Sequence, residues 1–531
     1  MKVGVFSLLP RFRFLLTLHY SFAKSMPTLP DNSRGRVFLV GAGPGDPNLL
    51  TLRGAECLRR ADLVLYDYLV NPRILVHAAQ AEKVCLGRHG HGRILSQDEI
   101  CERLISAARQ GQQVVRLKSG DPLVFGRAGE ELAALAAASV AYEIVPGITA
   151  ALASGSYAGI PLTHRDWASA VALVTGQEQS GKEATDLDFA ALAKFPGTLV
   201  FYMGVTTARH WSGQLIASGK SPNTPVAIVR RCSWPDQMTV LCTLGTVAAE
   251  MEQQHLRPPV LVVVGEVAGL APVASWFVER PLFGQRVLVT RPAEQAGRLL
   301  DRLEELGAEC LLQPAIQIGP PEDFALLDTA IQQLHRYDWL VFSSANGVNA
   351  LCERIWTTGG DLRSLGRAKL AAIGPGTADE LAKYHLRADL LPHEFRAESL
   401  AEALIPHCIG KQVLLIRASR GREVLAEQLT SSGARVEQVV AYSSHDVTIA
   451  EPGIAEALSA GRIDWITVTS SAIARSLVTL FGENLRHTKL ASISPITTAT
   501  LLELGHAPTV EAAEYTMDGV VQAMVKAIAI S

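Results

Sequence analysis

A glycine-rich run, Gly41-Ala42-Gly43-Pro44-Gly45-Asp46-Pro47, follows the apolar Val37-Phe38-Leu39-Val40 and precedes residues 49–58, whose apolar positions have helical spacing. This pattern reads as a buried strand, a loop at its carboxyl end, and a helix. Open parallel sheets bind ligands at that edge. Glycine lets a backbone approach closely, and Pro44 stiffens the loop while removing one donor. The same spacing also fits a plain strand-to-helix turn. Asp67, at the end of residues 61–67, either places a carboxylate at this edge or caps a helix over residues 71–78. Two further strands end in the same way. Residues 114–117 enter Lys118-Ser119-Gly120-Asp121-Pro122, and residues 141–145 enter Pro146-Gly147-Ile148-Thr149-Ala150. Three small-residue loops at one edge make a concave, backbone-rich crevice suited to a small molecule.

The chain that must position these groups has 531 residues, enough for about three or four folding units at roughly 100–200 residues each. A net charge of −3 gives no global field to recruit nucleic acid, so an anionic ligand must be held by local cations. Eight cysteines without a C-x-x-C pair point to reduced thiols in a cytoplasmic protein and to no metal site. Residues 3–18 are apolar but broken by Pro10, Arg11 and Arg13, too short to span a bilayer. Only Ser21-Phe22-Ala23 suggests a signal cleavage site, and Met26 offers an alternative start. Residues 1–34 read as a disordered or spurious extension, and no later segment reads as membrane-spanning.

From residue 286 onward apolar strands alternate with loops rich in Ser, Thr and Arg. Asp338-Trp339 and Asp464-Trp465 each open a strand that ends in a Ser-Ser pair, and the units at Ile373 and Ile493 match in the same way. This internal repeat predicts two similar α/β domains. Small hydroxyls at helix starts act as caps, and the same geometry can hold carboxylates. The joint at residues 276–284 is too short and apolar for a flexible spacer, which predicts loosely docked modules.

Gly41 to Pro47, Tyr66-Asp67, Gly120-Asp121-Pro122, Phe125-Gly126-Arg127, residues 145–150 and Gly159-Ile160-Pro161-Leu162-Thr163-His164-Arg165-Asp166 occur in an order that resembles the tetrapyrrole methylase family, most closely its uroporphyrinogen-III C-methyltransferases. The resemblance spans residues 35–280. It implies a two-domain α/β fold, a homodimer, and S-adenosyl-L-methionine bound between the domains. Its cofactor contacts fall on Pro44, Ser119, Gly120, Asp121, Val124, Thr149, Ala150, Met203 and Cys232. Asp67 takes the role of catalytic base, and Arg127, His164 and Arg165 that of ligands for the substrate's carboxylates. Three positions depart from the family: Ser119 and Cys232 replace glycines, and Arg88 replaces a lysine proposed as proton donor. A guanidinium keeps its proton, so Arg88 suits charge stabilisation better than acid catalysis. Met203 read on its own is a core methionine at a strand end.

Residues 284–531 resemble uroporphyrinogen-III synthase through Val289-Thr290-Arg291-Pro292, residues 342–348, Ile373-Gly374-Pro375-Gly376-Thr377, Val440-Ala441-Tyr442 and Thr469-Ser470-Ser471; Ser494 stands where that family has glycine. The resemblance implies two facing α/β domains, with the chain crossing between them near residues 316–319 and 441–446. It also implies cyclisation of hydroxymethylbilane without a cofactor. Tyr442 is the candidate nearest the chemistry, or else a hinge tyrosine with a satisfied hydroxyl. Arg291, Ser344, Thr377, Arg417, Ser471 and Thr498 are candidate carboxylate contacts. The expected fold is thus α/β throughout, a two-domain tetrapyrrole methylase followed by a synthase. The expected function is a bifunctional enzyme acting on tetrapyrroles, with no nucleic-acid or membrane partner. The alternatives are a tetrapyrrole-binding protein with an impaired methyltransferase site, motivated by Arg88, Ser119 and Cys232, and a methyltransferase of another acceptor.

Overall fold

The computed structural model describes residues 35–87, 95–177, 187–273, 276–421 and 423–530. The chain divides into two compact units, residues 1–153 and 154–531, and carries four five-stranded sheets. In the first unit β1 (Arg36–Gly41), β2 (Leu63–Tyr66), β3 (Glu82–Cys85), β4 (Gln113–Lys118) and β5 (Ala141–Val145) form a parallel sheet in the order β3-β2-β4-β1-β5. Helices cover both faces, so Val37 and Leu39 bury on one side while Phe38 and Val40 bury on the other. That explains the unbroken apolar run of β1. β3 has no counterpart in the sequence reading. It is an edge strand whose Glu82, Lys83 and Cys85 are exposed, so it carries no apolar pattern.

Pairing of Gly41 with Lys118 and of Val40 with Val145 brings three strand ends level. The loops beyond them meet backbone to backbone. Gly43 donates to the Gly120 carbonyl at 3.2 Å, and Gly120 donates to the Gly43 carbonyl at 2.7 Å. A Cβ on Gly41 would lie 2.5 Å from Gly147, and one on Gly147 would lie 2.2 Å from the Gly120 carbonyl oxygen. These glycines are therefore required by packing. Asp121 fastens the third loop: its Oδ2 accepts the Gly147 N–H at 3.0 Å.

The second unit opens with a mixed sheet of β6 (Val171–Thr175), β7 (Thr198–Tyr202), β8 (Pro225–Arg230), β9 (Met238–Thr243) and β10 (Val260–Val264), in the order β6-β7-β10-β8-β9. The joint that follows is packed. Phe277 is buried, 4.6 Å from the Tyr157 ring and 5.6 Å from the Phe283 ring. Arg280 lies 4.0 Å over Phe277 and donates to the Glu304 carbonyl at 3.1 Å. The apolar residues that ruled out a spacer are the ones that bury here.

The remaining strands are β11 (Arg286–Val289), β12 (Glu309–Leu312), β13 (Ile316–Gly319), β14 (Trp339–Phe342), β15 (Lys369–Ala372), β16 (Gln412–Ala418), β17 (Arg435–Asp446), β18 (Trp465–Val468), β19 (Lys489–Ser492) and β20 (Val510–Glu511). They form two sheets, β12-β11-β18-β19-β20 and β13-β17-β16-β14-β15. The predicted repeat is visible as the shared order β12-β11-β18-β19 and β17-β16-β14-β15. Its register follows from Val287 pairing with Trp465 and Val413 with Trp339. Asp464 accepts the Arg286 N–H at 2.7 Å, and Asp338 accepts the Gln412 N–H at 2.9 Å. On this register Arg291 corresponds to Arg417, and Thr469 to Ser343. β13 pairs antiparallel with Ser443 to Asp446 of β17, the crossing predicted from the sequence.

Gly147→Ala should destabilise the first unit by about 1–3 kcal/mol or more, as overpacking does. Gly129→Ala, where a Cβ meets nothing within 4 Å, should be neutral or stabilise by up to about 1 kcal/mol. Urea unfolding of the two variants tests the contrast, and equal midpoints would contradict it.

Candidate functional site

β4 enters the sheet edge with two cations on one face. Arg116 and Lys118 lie two residues apart, as the strand period requires, and each is 3 % exposed. Arg116 Nη2 donates to Asp67 Oδ1 at 2.5 Å, and its Nε to Glu131 Oε1 at 3.0 Å. Lys118 Nζ donates to both Glu131 oxygens, at 3.0 and 3.1 Å. Glu131, on the helix Ala128–Ala137, is fully buried. Two cations and two carboxylates thus balance inside the unit, where unpaired charge is expensive. Burial holds the Lys118 ammonium below its ordinary pKa. The sequence reading missed Arg116, Lys118 and Glu131. The available signal was a pair of cations at alternate positions in an otherwise apolar strand.

Asp67 does not cap a helix at residues 71–78. Asn71 does so, accepting the Arg73 N–H at 3.0 Å at the start of the 3-10 helix Pro72–Ala78. Asp67 is held at the strand end by Arg116, and its Oδ2 has no partner among the described residues.

The cofactor candidates of the first unit, Pro44, Ser119, Gly120, Asp121, Val124, Thr149 and Ala150, all lie on the rim formed by the ends of β1, β4 and β5. Gly120 has φ +69°, a left-handed conformation that favours glycine, and the turn forms with Ser119 beside it. The rim is built of small residues, with Gly43, Pro44, Gly120 and Thr149 buried and Ser119, Asp121, Val124 and Ala150 partly exposed, and it fits a cofactor held chiefly by main-chain groups. Arg127 is also left-handed, at φ 53°, and its exposed guanidinium grips Glu130 at 2.8 and 2.7 Å. Arg88 falls outside the described residues.

The other methylase candidates belong to the second unit. Met203 follows β7 at φ 53° and is 47 % exposed, so it is not a core methionine. Cys232 is buried, and its thiol is pushed up to about 12 by burial, which leaves only its backbone for contact. Gln237, unnoticed in the sequence, braces that loop. It accepts the Ser233 N–H at 2.8 Å and donates to the Tyr157 carbonyl at 3.0 Å. His164 Nδ1 accepts the Asp166 N–H at 3.2 Å, its ring stacks on Trp167 at 4.5 Å, and Arg165 is exposed.

In the synthase half, the Tyr442 and Ser344 hydroxyls are 2.8 Å apart. Burial raises the phenol's pKa, so it keeps its proton. The geometry matches the hinge reading of Tyr442: the hydroxyl is satisfied, and the residue stands on the crossing strand. Ser344 also caps the helix Ala345–Thr357. Tyr442 further bonds to Asn346, and Asn346 Oδ1 accepts from Gln295 Nε2 at 2.6 Å. Gln295 Oε1 in turn accepts from Arg291 Nη2 at 3.0 Å. A continuous polar path therefore links the end of β11 to the end of β14. Gln295 and Asn346 were not among the candidates, because a lone amide on an amphipathic helix carries no sequence signal. Arg291 is largely buried, which lowers its pKa, and no carboxylate pairs with it among the described residues.

Arg417, its counterpart, pairs with Glu423 and with Gln438 at 2.8 Å. The structure does not bring the other three candidates onto this path. Thr377 is buried in its own helix. Ser471 accepts from Thr500 at 2.9 Å while Ser470 caps the helix. Thr498 bonds Ser492 at 2.6 Å and the chain's own Glu511.

The folds and these two sites describe a methyltransferase-type module followed by a duplicated α/β module. Residues 36–248 match the family model of the tetrapyrrole (corrin/porphyrin) methylases, and residues 297–522 match that of uroporphyrinogen-III synthase HemD. A porphyrin biosynthesis protein HemD of Ruminiclostridium josui is 34 % identical over 447 residues, 84 % of this chain and 88 % of that protein. A uroporphyrinogen-III C-methyltransferase of Bacillus subtilis is 37 % identical over 350 residues, 66 % of this chain and 71 % of that protein. A native uroporphyrin III C-methyltransferase structure from Thermus thermophilus, 42 % identical, covers 44 % of this chain and 93 % of its own at a TM-score of 0.38. The chain belongs to the tetrapyrrole methylases through its first part and to the uroporphyrinogen-III synthases through its second. It is a bifunctional enzyme of tetrapyrrole biosynthesis, and S-adenosyl-L-methionine is the cofactor of its methylase part.

Glu131→Gln leaves two buried cations facing one carboxylate. It should cost about 3–5 kcal/mol, the usual result of breaking a buried pair. Urea unfolding measures this, and a loss under about 1 kcal/mol, the value of a surface pair, would contradict it.

Proposed function

We propose that the residue 284–531 module closes hydroxymethylbilane to uroporphyrinogen III with inversion of ring D. The residue 35–280 module then methylates that product twice to give precorrin-2, which feeds sirohaem or corrinoid synthesis. One observation carries this reading: a single chain joins two families whose names share one compound, the product of one and the acceptor of the other. The enzyme works as a cytoplasmic homodimer through its methylase module, on small-molecule tetrapyrroles.

S-adenosyl-L-methionine supplies an electrophilic methyl group when bound. The chain supplies position, charge and a proton acceptor. Pro44, Ser119, Gly120, Asp121, Val124, Thr149, Ala150, Met203 and the Cys232 backbone hold the cofactor, and such positioning provides much of the acceleration. The pyrrole carbon that gains the methyl must lose a proton. Asp67 takes it on Oδ2, while Arg116 fixes the carboxylate through Oδ1. Arg127, His164, Arg165 and Arg88 are the cations this reading assigns to the substrate's carboxylates. In the synthase module the hydroxyl of the bilane leaves as water, with its proton drawn from the Tyr442 region. Arg291 and Arg417 hold carboxylates while the chain folds to close; Ser344, Thr377, Ser471 and Thr498 play lesser parts.

Asp67→Asn should slow methylation of supplied uroporphyrinogen III by about 10²–10⁴-fold, the usual contribution of a general base. Consumption of hydroxymethylbilane should be unchanged. Tyr442→Phe should show the reverse pattern. Methylation at the wild-type rate by Asp67→Asn would overturn the assignment of the base.

A further inference from the structure

The loop from Arg231 to Gln237 joins β8 to β9 and carries Cys232, whose backbone the reading above assigns to the cofactor. Its shape is strained. Arg231 and Ser233, on either side of Cys232, are left-handed at φ 49° and 63° without being glycine. Such conformations cost free energy and persist only where the surroundings over-determine them. Part of that constraint is internal. Trp234 donates to the Arg231 carbonyl at 3.0 Å, and the Gln237 N–H to the Trp234 carbonyl at 2.9 Å. The Arg231 guanidinium lies 4.2 Å over the Trp234 ring and donates to Asp236 at 2.6 Å.

Two further contacts come from outside the loop. The Gln237 side chain, in a residue only 5 % exposed, accepts the Ser233 N–H and donates to the carbonyl of Tyr157, 80 residues away in the chain. One amide thus ties the neighbour of Cys232 to a separate element. The second contact is from the joint: the Gly284 N–H donates to the Pro235 carbonyl at 3.1 Å. Two residues earlier, Leu282 donates to the Leu306 carbonyl at 2.8 Å, at the end of the helix Ala293–Glu305, and Arg280 reaches the Glu304 carbonyl beside it. Residues 276–284 are therefore a strap bonded to the methylase loop on one side and to a helix of the synthase half on the other. The strap lies between the stretches that the two family models match, residues 36–248 and 297–522.

We propose that Gln237 is a positioning residue for cofactor binding, and that the strap at residues 276–284 is the outer brace of the same loop. The proposal rests on the assignment of the Cys232 backbone to the cofactor. A main-chain contact has no rotamer with which to adjust, so it works only if the loop keeps one conformation. A loop free to relax its left-handed residues would carry the Cys232 main chain away, and binding would then have to restore it at a cost in affinity. The synthase half thereby supports the methylase site without touching the cofactor.

The test uses the full chain and S-adenosyl-L-homocysteine, the cofactor without its methyl group. Gln237→Leu keeps the side-chain volume and removes both of its hydrogen bonds. Arg280→Met keeps a long stem on Phe277 and releases the strap from Glu304. Gln237→Leu should bind the probe about tenfold more weakly and Arg280→Met about threefold, in line with the net value of the hydrogen bonds lost. In methylation of supplied uroporphyrinogen III, KM for S-adenosyl-L-methionine should rise by the same factors while kcat holds. Consumption of hydroxymethylbilane should stay at the wild-type rate, which reports a folded chain. Wild-type affinity in Gln237→Leu overturns the positioning role, and wild-type affinity in Arg280→Met overturns the brace. Loss of kcat and of hydroxymethylbilane consumption together, at unchanged KM, marks a merely structural role and also overturns the proposal. Failure of the unaltered chain to bind the probe overturns the cofactor reading itself, and the proposal falls with it.

Discussion

Gly41, Gly120 and Gly147 stand so close that a Cβ on Gly147 would lie 2.2 Å from the Gly120 carbonyl oxygen. This contact holds three strand ends at one height, and the methylase site follows from it. With β1, β4 and β5 level, three small-residue loops meet at the rim. With β4 fixed in register, Arg116 reaches Asp67 and Glu131 together, and Lys118 completes the balance. The glycine loop matters less as a phosphate-type grip than as the spacer that lets neighbouring loops touch. The buried charges fix the orientation of Asp67 and leave its second oxygen without a partner among the described residues.

The synthase module applies a different device, duplication followed by divergence. Gly374 and Ser494 occupy matching places before a proline, yet a Cβ on Gly374 would lie 3.1 Å from Phe395, while Ser494 uses its side chain to cap the next helix. Neither residue has a φ that requires glycine, so the family's glycine at position 494 was replaceable. The paired arginines differ in partners: Arg291 has no carboxylate partner among the described residues, and Arg417 has Glu423. The amides of Gln295 and Asn346 join the two halves through hydrogen bonds to Arg291 and Tyr442.

Much of this was legible in the sequence, for physical reasons. Strands buried on both faces must be continuously apolar, so β1, β7 and β14 stood out. Loops at their ends must turn sharply, so Gly, Pro and Asp marked them. The Asp-Trp repeat was visible because each Asp accepts a backbone N–H from the neighbouring strand. Edge strand β3, exposed and charged, had no such pattern. Arg116, Lys118 and Glu131 were hidden because their meaning lies in pairing across an element boundary. Gln295 and Gln237 were hidden for the same reason, since their partners lie 51 and 80 residues away. The joint at residues 276–284 was legible as apolar, but the Tyr157, Phe283 and Glu304 groups it packs against were not, because they lie on other elements.

The central claim is that one chain performs cyclisation and double methylation in succession. The most direct measurement is the mass and isomer type of the tetrapyrrole formed when the purified protein receives only hydroxymethylbilane and methyl-labelled S-adenosyl-L-methionine under anaerobic conditions. The account predicts a type III macrocycle carrying two labelled methyl groups. An unlabelled macrocycle, or a labelled product that appears only when uroporphyrinogen III is supplied ready-made, would contradict it.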